Sequence, residues 1–158
     1  MHTITVDRVI AAPIGEVFDW FADSRNYARS RFVLRNRWAR LGDDAPYGVG
    51  AVRIHLWLIG WFRERVTAYN PPYGFDYLVE RSFPPARHEG GSMTFTEAGG
   101  GTRIVWSTTS ELPLPFPALN AAAMKLFGPV IAKAFGTIVD TAEAALADPR
   151  SAATSPPG

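Results

Sequence analysis

The sequence predicts an α+β fold: a curved, seven-stranded antiparallel sheet around one long C-terminal helix, with two short helices after the first strand. Three observations point to it. Ala118 to Ala147 is the one stretch long and periodic enough to be a major helix. From Phe32 to Ser110, short runs alternate apolar and polar side chains and are separated by Gly, Pro, Asn and Asp, the pattern of consecutive antiparallel strands. Elements in that order admit few compact arrangements, because a sheet must bury one face and the final helix is the partner on hand.

In residues 3–11, Ile4, Val6 and Ile10 alternate with Thr3, Thr5 and Val9 as a first strand. Arg8 falls in phase with the apolar set, where a bulge or the strand end is expected to expose it. Pro13 suits a first helical turn, and Val17, Phe18 and Phe21 at helical spacing make 13–22 a short amphipathic helix. Asp23, Ser24 and Asn26 end it, and a second short helical turn is expected around Tyr27. From Phe32 to Leu41 the period is two, with Phe32, Leu34 and Trp38 on one face and Arg31, Val33, Arg35 and Arg37 on the other. Arg25, Arg29, Arg31, Arg35, Arg37 and Arg40 read as a solvated outer face. No aromatic residues interleave with them on that face, as base stacking would require.

Gly42 to Gly50 is turn chemistry. Val52, Ile54 and Leu56 then alternate with Arg53, His55 and Trp57, and after a turn at Gly60 Phe62, Glu64, Val66 and Ala68 alternate with Arg63, Arg65, Thr67 and Tyr69. These are the two strands of a hairpin, with His55 opposite the apolar set. Asn70-Pro71-Pro72 and Gly74 turn the chain into a strand carrying Phe75, Tyr77 and Val79 on one face. Phe83-Pro84-Pro85 leads to the next, with Met93 and Phe95 on one face and His88 in phase with Ser92 and Thr94, pointing outward. Gly99 to Gly101 closes that hairpin, and the last strand carries Ile104, Trp106, Thr108 and Ser110 inward. A proline-rich link from Ser110 to Pro117 enters the long helix.

At ~100° per residue, Lys125, Lys133, Asp140 and Glu143 fall in one narrow arc of that helix. Leu119, Leu126, Phe127, Val130, Ile131, Phe135 and Ile138 spread over most of the remainder, so the helix is expected to be gripped on more than one side. Its many alanines leave space beside it. Pro129 removes a backbone donor and crowds the carbonyl of Lys125, so a bend or split near Gly128 is expected. One domain over 1–147 is expected, with 148–158 a disordered tail.

With 158 residues and a net charge of +1, the chain has no overall field to attract nucleic acid. It has no cysteine, which excludes disulfides and thiolate chemistry. The longest apolar run, Leu56 to Phe62, is far below the ~20 residues of a spanning helix, so a soluble, cytoplasmic protein is expected. His2, His55 and His88 are isolated, and Arg87-His88-Glu89-Gly90-Gly91 lacks the second histidine of a helical zinc motif. Neither a metal nor a cofactor is expected. No Gly-x-Ser-x-Gly elbow is present.

Several short motifs belong together: Ala12-Pro13 after the first strand, Val17-Phe18-Asp19 with Asp23 and Tyr27, Asn70-Pro71-Pro72, and Gly100-Gly101-Thr102-Arg103-Ile104-Val105-Trp106. With them the chain resembles the helix-grip superfamily that includes START lipid-transfer domains, the birch-pollen allergen and bacterial polyketide cyclase/dehydrase proteins, often labelled SRPBCC. The resemblance covers residues 3–147 and departs at Ser30, where relatives usually place a tryptophan just after the tyrosine. It implies a cavity between sheet and C-terminal helix for a hydrophobic or amphipathic small molecule, lipid or polyketide-like. Phe18, Phe75, Tyr77, Phe95, Trp106, Met124 and Phe127 would line it, and Glu64, Tyr77, Thr108 and Ser110 would orient the ligand. The alternative it permits is a cyclase or aromatase on a polyketide-like substrate, with Glu64 or His88 moving the proton. Glu64 is in phase with Phe62 and Val66, so partial burial should raise its pKa.

Strand parity adds a last expectation. In an antiparallel meander, alternate turns share one end, so the turns after the third, fifth and seventh strands gather beside the start of the long helix. All three are apolar: Trp57, Ile59 and Trp61 in the first, Phe83 in the second, Leu114 and Phe116 in the third. Such a rim reads as a portal, a homodimer contact, a transient membrane contact or a small satellite core.

Overall fold

The computed structural model describes residues 1–147, and the expected tail at 148–158 lies outside the described residues. The strands are β1 (His2–Ile10), β2 (Val33–Arg40), β3 (Val52–Trp57), β4 (Gly60–Asn70), β5 (Gly74–Phe83), β6 (Arg87–Ala98) and β7 (Gly101–Glu111). The helices are α1 (Ile14–Ala22) and α2 (Pro117–Ala147), with a 3-10 turn at Ser24–Arg29. Every strand pair is antiparallel, in the order β1-β7-β6-β5-β4-β3-β2. The first two strands therefore sit at opposite edges, and α1 with the 3-10 turn carries the chain from one edge to the other.

The crossing is fixed by local chemistry. Gly101 admits the end of β1, since a side chain there would collide with the Ile10 carbonyl oxygen. Thr102 Oγ1 donates to the Ala12 carbonyl at 2.8 Å, and the buried Tyr27 hydroxyl donates to the Phe21 carbonyl at 2.7 Å. Val17, Phe18 and Phe21 of α1 then join Phe95, Ile104, Ile138 and Val139 in one core.

Long helix α2 is gripped along half its length. Ala134, Phe135, Ile138, Val139 and Ala142 are buried, and the Phe135 ring stacks on Trp106 at 4.1 Å and 10°. Leu119, Leu126, Phe127 and Val130 in the earlier half are exposed, so the expectation of a helix held on several sides is corrected there. Of the bend or split expected at Pro129, the split is absent: α2 is continuous from Pro117 to Ala147.

Three sequence phases are also corrected. Arg8 is not freed by a bulge; β1 pairs with β7 in unbroken register, and Arg8 crosses to α2, 2.5 Å from Asp140 and 3.7 Å from Glu143. In β2, register shifts beside Arg35 and Arg40 break the two-residue period, so Val33 and Asn36 are buried and Leu34 is exposed. In β3 the inward face carries Arg53, His55 and Trp57, while Leu56 faces out. Asn36 links the two strands, donating to the Ser24 carbonyl at 2.7 Å and accepting from Trp57 Nε1 at 3.0 Å. The six arginines from Arg25 to Arg40 are all exposed.

Candidate functional site

Between the sheet and the exposed half of α2 lies a cavity of about 570 Å³. Its wall is mostly apolar, built from Trp57, Leu58, Ile59 and Phe62 of the β3–β4 hairpin, Trp106 and Leu112 of β7 and the link after it, and Met124, Phe127, Val130, Ile131 and Phe135 of α2. Polar groups enter at Glu64, Tyr77, Ser82, His88, Thr108 and Ser110.

Of the residues expected at the cavity, Glu64, Tyr77, Trp106, Thr108, Ser110, Met124 and Phe127 line it. Phe18, Phe75 and Phe95 do not. Their rings pack on one another, 5.6–6.4 Å apart, because α1 lies over that end of the sheet and fills it. Tyr27, His55 and Trp57 were missed as lining residues.

One signal could have found the missed pair on β3. The short turn at Leu58-Ile59 sets Trp57 opposite Gly60, and counting back along that hairpin places Arg53 opposite Glu64. An inward Glu64 therefore demands an inward Arg53, with His55 on the same face. Sequence alternation chose the apolar set instead, but neither Ile54, which is buried, nor Leu56, which is exposed, lines the cavity.

Arg53, His55 and Glu64 form a buried charged cluster. The Arg53 guanidinium ion-pairs with the Glu64 carboxylate, and His55 Nε2 lies 3.0 Å from Glu64 Oε1. Burial works against the carboxylate, but the Arg53 charge and then His55 outweigh it and hold the pKa at about 2. The expected rise at Glu64 is thus reversed. Arg53 lies over the rings of Phe75 and Tyr77, at 5.2 and 5.6 Å, and the His55 ring stacks on Tyr27. Among the described residues, Arg53 Nε and His55 Nδ1 have no hydrogen-bond partner.

A second polar group stands where β5 and β6 part. Their pairing runs from Gly74 to Tyr77 against Thr94 to Gly91. Beyond it the His88 side chain fills the seam: Nδ1 accepts from the Val79 N–H at 3.1 Å, and Nε2 faces Thr108 Oγ1 at 2.7 Å. An acceptor at Nδ1 leaves the proton of the neutral ring on Nε2, which donates to Thr108. Burial pushes the His88 pKa down, against an opposing pull from Glu64, so the ring is neutral near pH 7. The outward position expected for His88 is overturned by a register shift between His88 and Gly90, which reverses the parity counted back from Met93. Tyr77 closes this wall. Its hydroxyl accepts from Trp106 Nε1 at 2.8 Å, burial pushes its pKa up, and its ring occupies the space a side chain at Gly91 would need.

The mouth is marked by Leu58, Phe127 and Val130, which line the cavity and are exposed as well. Leu58 and Ile59, Pro84, and Leu112 border the same cavity as Met124, so the ends of β3, β5 and β7 meet beside the start of α2. Phe83, Leu114 and Phe116 are exposed around them. Ile59 lines the cavity, whereas Trp61 is half-buried and lies outside the lining. Trp57, expected on the rim, is a core residue bonded to Asn36.

No curated protein matches the sequence significantly. Solved structures share the fold at low identity. TTHA0849 from Thermus thermophilus is 16% identical, with a TM-score of 0.75 over 98% of this chain and 100% of that one. A START superfamily protein from Mycobacterium smegmatis is 13% identical, with a TM-score of 0.60 over 87% of this chain and 97% of that one. The di-domain ARO/CYC StfQ from the steffimycin biosynthetic pathway is 21% identical, with a TM-score of 0.57 over 89% of this chain and 44% of that one. The family model for polyketide cyclase/dehydrase and lipid transport matches residues 1–148, and with the seven-stranded sheet folded on its C-terminal helix, a helix-grip fold, this places the chain in that family.

Proposed function

We propose that this protein binds a hydrophobic or amphipathic small molecule, lipid or polyketide-like, between its sheet and α2. The observation that carries the reading is the cavity itself: about 570 Å³, within the range of small-molecule sites, mostly apolar, with a few polar groups at fixed places. Thr108, Ser110 and Ser82 offer hydroxyls to an amphipathic ligand, while Trp106, Phe62 and Phe127 offer flat apolar contact.

A cyclase or aromatase needs a group that gives and takes a proton near neutral pH. Glu64 is unsuited, since a carboxyl held at about 2 by Arg53 stays ionised and is a weak base. His88 remains the proton carrier of the alternative. Binding is the reading the geometry supports better.

A fluorescent apolar probe should brighten on addition of the protein and be displaced by fatty acids or polycyclic aromatics. Native mass spectrometry of freshly purified protein should find a retained small molecule. No probe binding, together with no retained mass, would overturn the reading. Turnover lost in His88→Gln would favour the enzyme.

A further inference from the structure

We propose that the exposed half of α2, with the loop tips beside it, docks on an anionic phospholipid bilayer and holds the cavity mouth against the membrane. This goes beyond the binding reading, and its test measures vesicle association rather than cavity occupancy, so either can fail alone.

The face is apolar where a folded domain has least reason to be. Leu126 is 69% and Phe83 73% exposed, and Leu58, Phe116, Phe127 and Val130 are exposed around them. Leu119, Leu126 and Val130 share one stripe of α2, since their spacings of seven and four residues return close to the same angle. By length and composition α2 could cross a membrane, and only 28% of its most apolar window is buried, but its later half is held in the core. A helix so anchored can lie in the interface without inserting through it.

Charge selects the occupant. Between Glu111 and Asp140 the chain has no acidic residue and two lysines, Lys125 and Lys133, both exposed. Lys133 falls beside the Leu119–Val130 stripe, where its stem can follow the apolar surface and its ammonium reach headgroups. Arg81 and Arg87 are exposed on either side of the Phe83 loop. The nearby acids are already engaged: Glu111 by the N-terminal amine at 3.2 Å and Arg87 at 3.7 Å, Glu80 by Arg63 and Arg65. A second copy packed on this face would have no free acid to offer the lysines, because Asp140 and Glu143, which share their arc of α2, are engaged by Arg8. A bilayer carrying negative headgroups meets the same face with apolar depth and opposite charge.

The position of the mouth gives the docking its use. Leu58, Phe127 and Val130 belong both to the patch and to the cavity wall. An apolar ligand would then pass between bilayer and cavity without crossing water.

The test is flotation of the full chain with vesicles of phosphatidylcholine alone, and of phosphatidylcholine with about one third phosphatidylglycerol. The protein should float with the mixed vesicles, bind the neutral ones at least about 25-fold more weakly, and dissociate as salt rises. Lys125→Gln with Lys133→Gln should weaken binding by roughly fivefold per lysine removed. Leu126→Asp with Phe83→Ser should abolish flotation while circular dichroism and Tm stay unchanged, since both side chains are exposed. Absence of flotation, or equal flotation with both vesicle types, would overturn the proposal. So would a solution dimer that Leu126→Asp dissociates while vesicle binding persists, which would assign the face to a second copy.

Discussion

Arg53 lies directly across the β3–β4 ladder from Glu64, and both side chains are buried on the inward face of the sheet. A buried ion pair of this kind is costly to break and often of little net value when whole, because desolvation offsets the attraction. Glu64→Gln leaves the guanidinium buried without its counter-charge and should cost about 3–5 kcal/mol in urea unfolding. Arg53→Met should cost a similar amount. The double variant should lose markedly less than the sum, and additive losses would show that the two residues do not act as a pair.

The same pair contributes to the acid limit of stability, together with Asp7, Asp23 and Glu80, whose carboxyls are also held low. The folded pKa of Glu64 is about 2 against a usual 4.5, so the folded state prefers the ionised form. That contribution is complete above pH 4.5 and is lost as pH falls toward 2. His88 acts earlier on acidification. Its folded pKa lies below the usual 6.5, so below that value the unfolded chain binds the extra proton and stability falls. Tm against pH should therefore decline in two stages, and His88→Asn should remove the first and spare the second. A single decline unaffected by that change would contradict the neutral, bonded His88.

Gly91 and Tyr77 test the other wall. A methyl group at Gly91 would collide with the Tyr77 ring, so Gly91→Ala must displace the ring and strain the bond from Trp106. A loss of about 1–3 kcal/mol is expected, with a change in probe affinity because Tyr77 lines the cavity. Unchanged affinity at that loss of stability would separate Tyr77 from ligand contact.

The order of elements was legible because period-two alternation and turn residues survive in most strands. On β7 the phase runs without a break from Ile104 to Ser110, and the cavity-facing Trp106, Thr108 and Ser110 were readable from it. Two local events defeated the same logic elsewhere. β3 turns Arg53 and His55 inward, so polarity pointed to the wrong face. The register shift beside His88 reverses a parity that counting cannot detect, although Gly90-Gly91 marks where strands commonly bulge. Phe18, Phe75 and Phe95 show a different limit. Their inward phase was right, but whether an inward ring meets a cavity or another ring depends on where α1 lies, and no local pattern carries that.

Trp57 and Leu58 are neighbours in the chain with opposite roles, which makes the mouth of the cavity testable. Trp57 is buried, bonded to Asn36 and packed edge-on to Phe62 and Phe135, so Trp57→Ala should cost about 3–5 kcal/mol. Leu58 is exposed on the lip, so Leu58→Trp should change stability by less than about 0.5 kcal/mol. Paired with Val130→Trp from the facing helix, it narrows the opening between β3–β4 and α2 without touching the cavity floor. Stopped-flow probe binding should then show association and dissociation slowed together, with Kd little changed, because a gate alters the barrier and not the bound state. Slowing of dissociation alone would mean the new rings contact the probe, and unchanged rates would place the entrance elsewhere on the molecule.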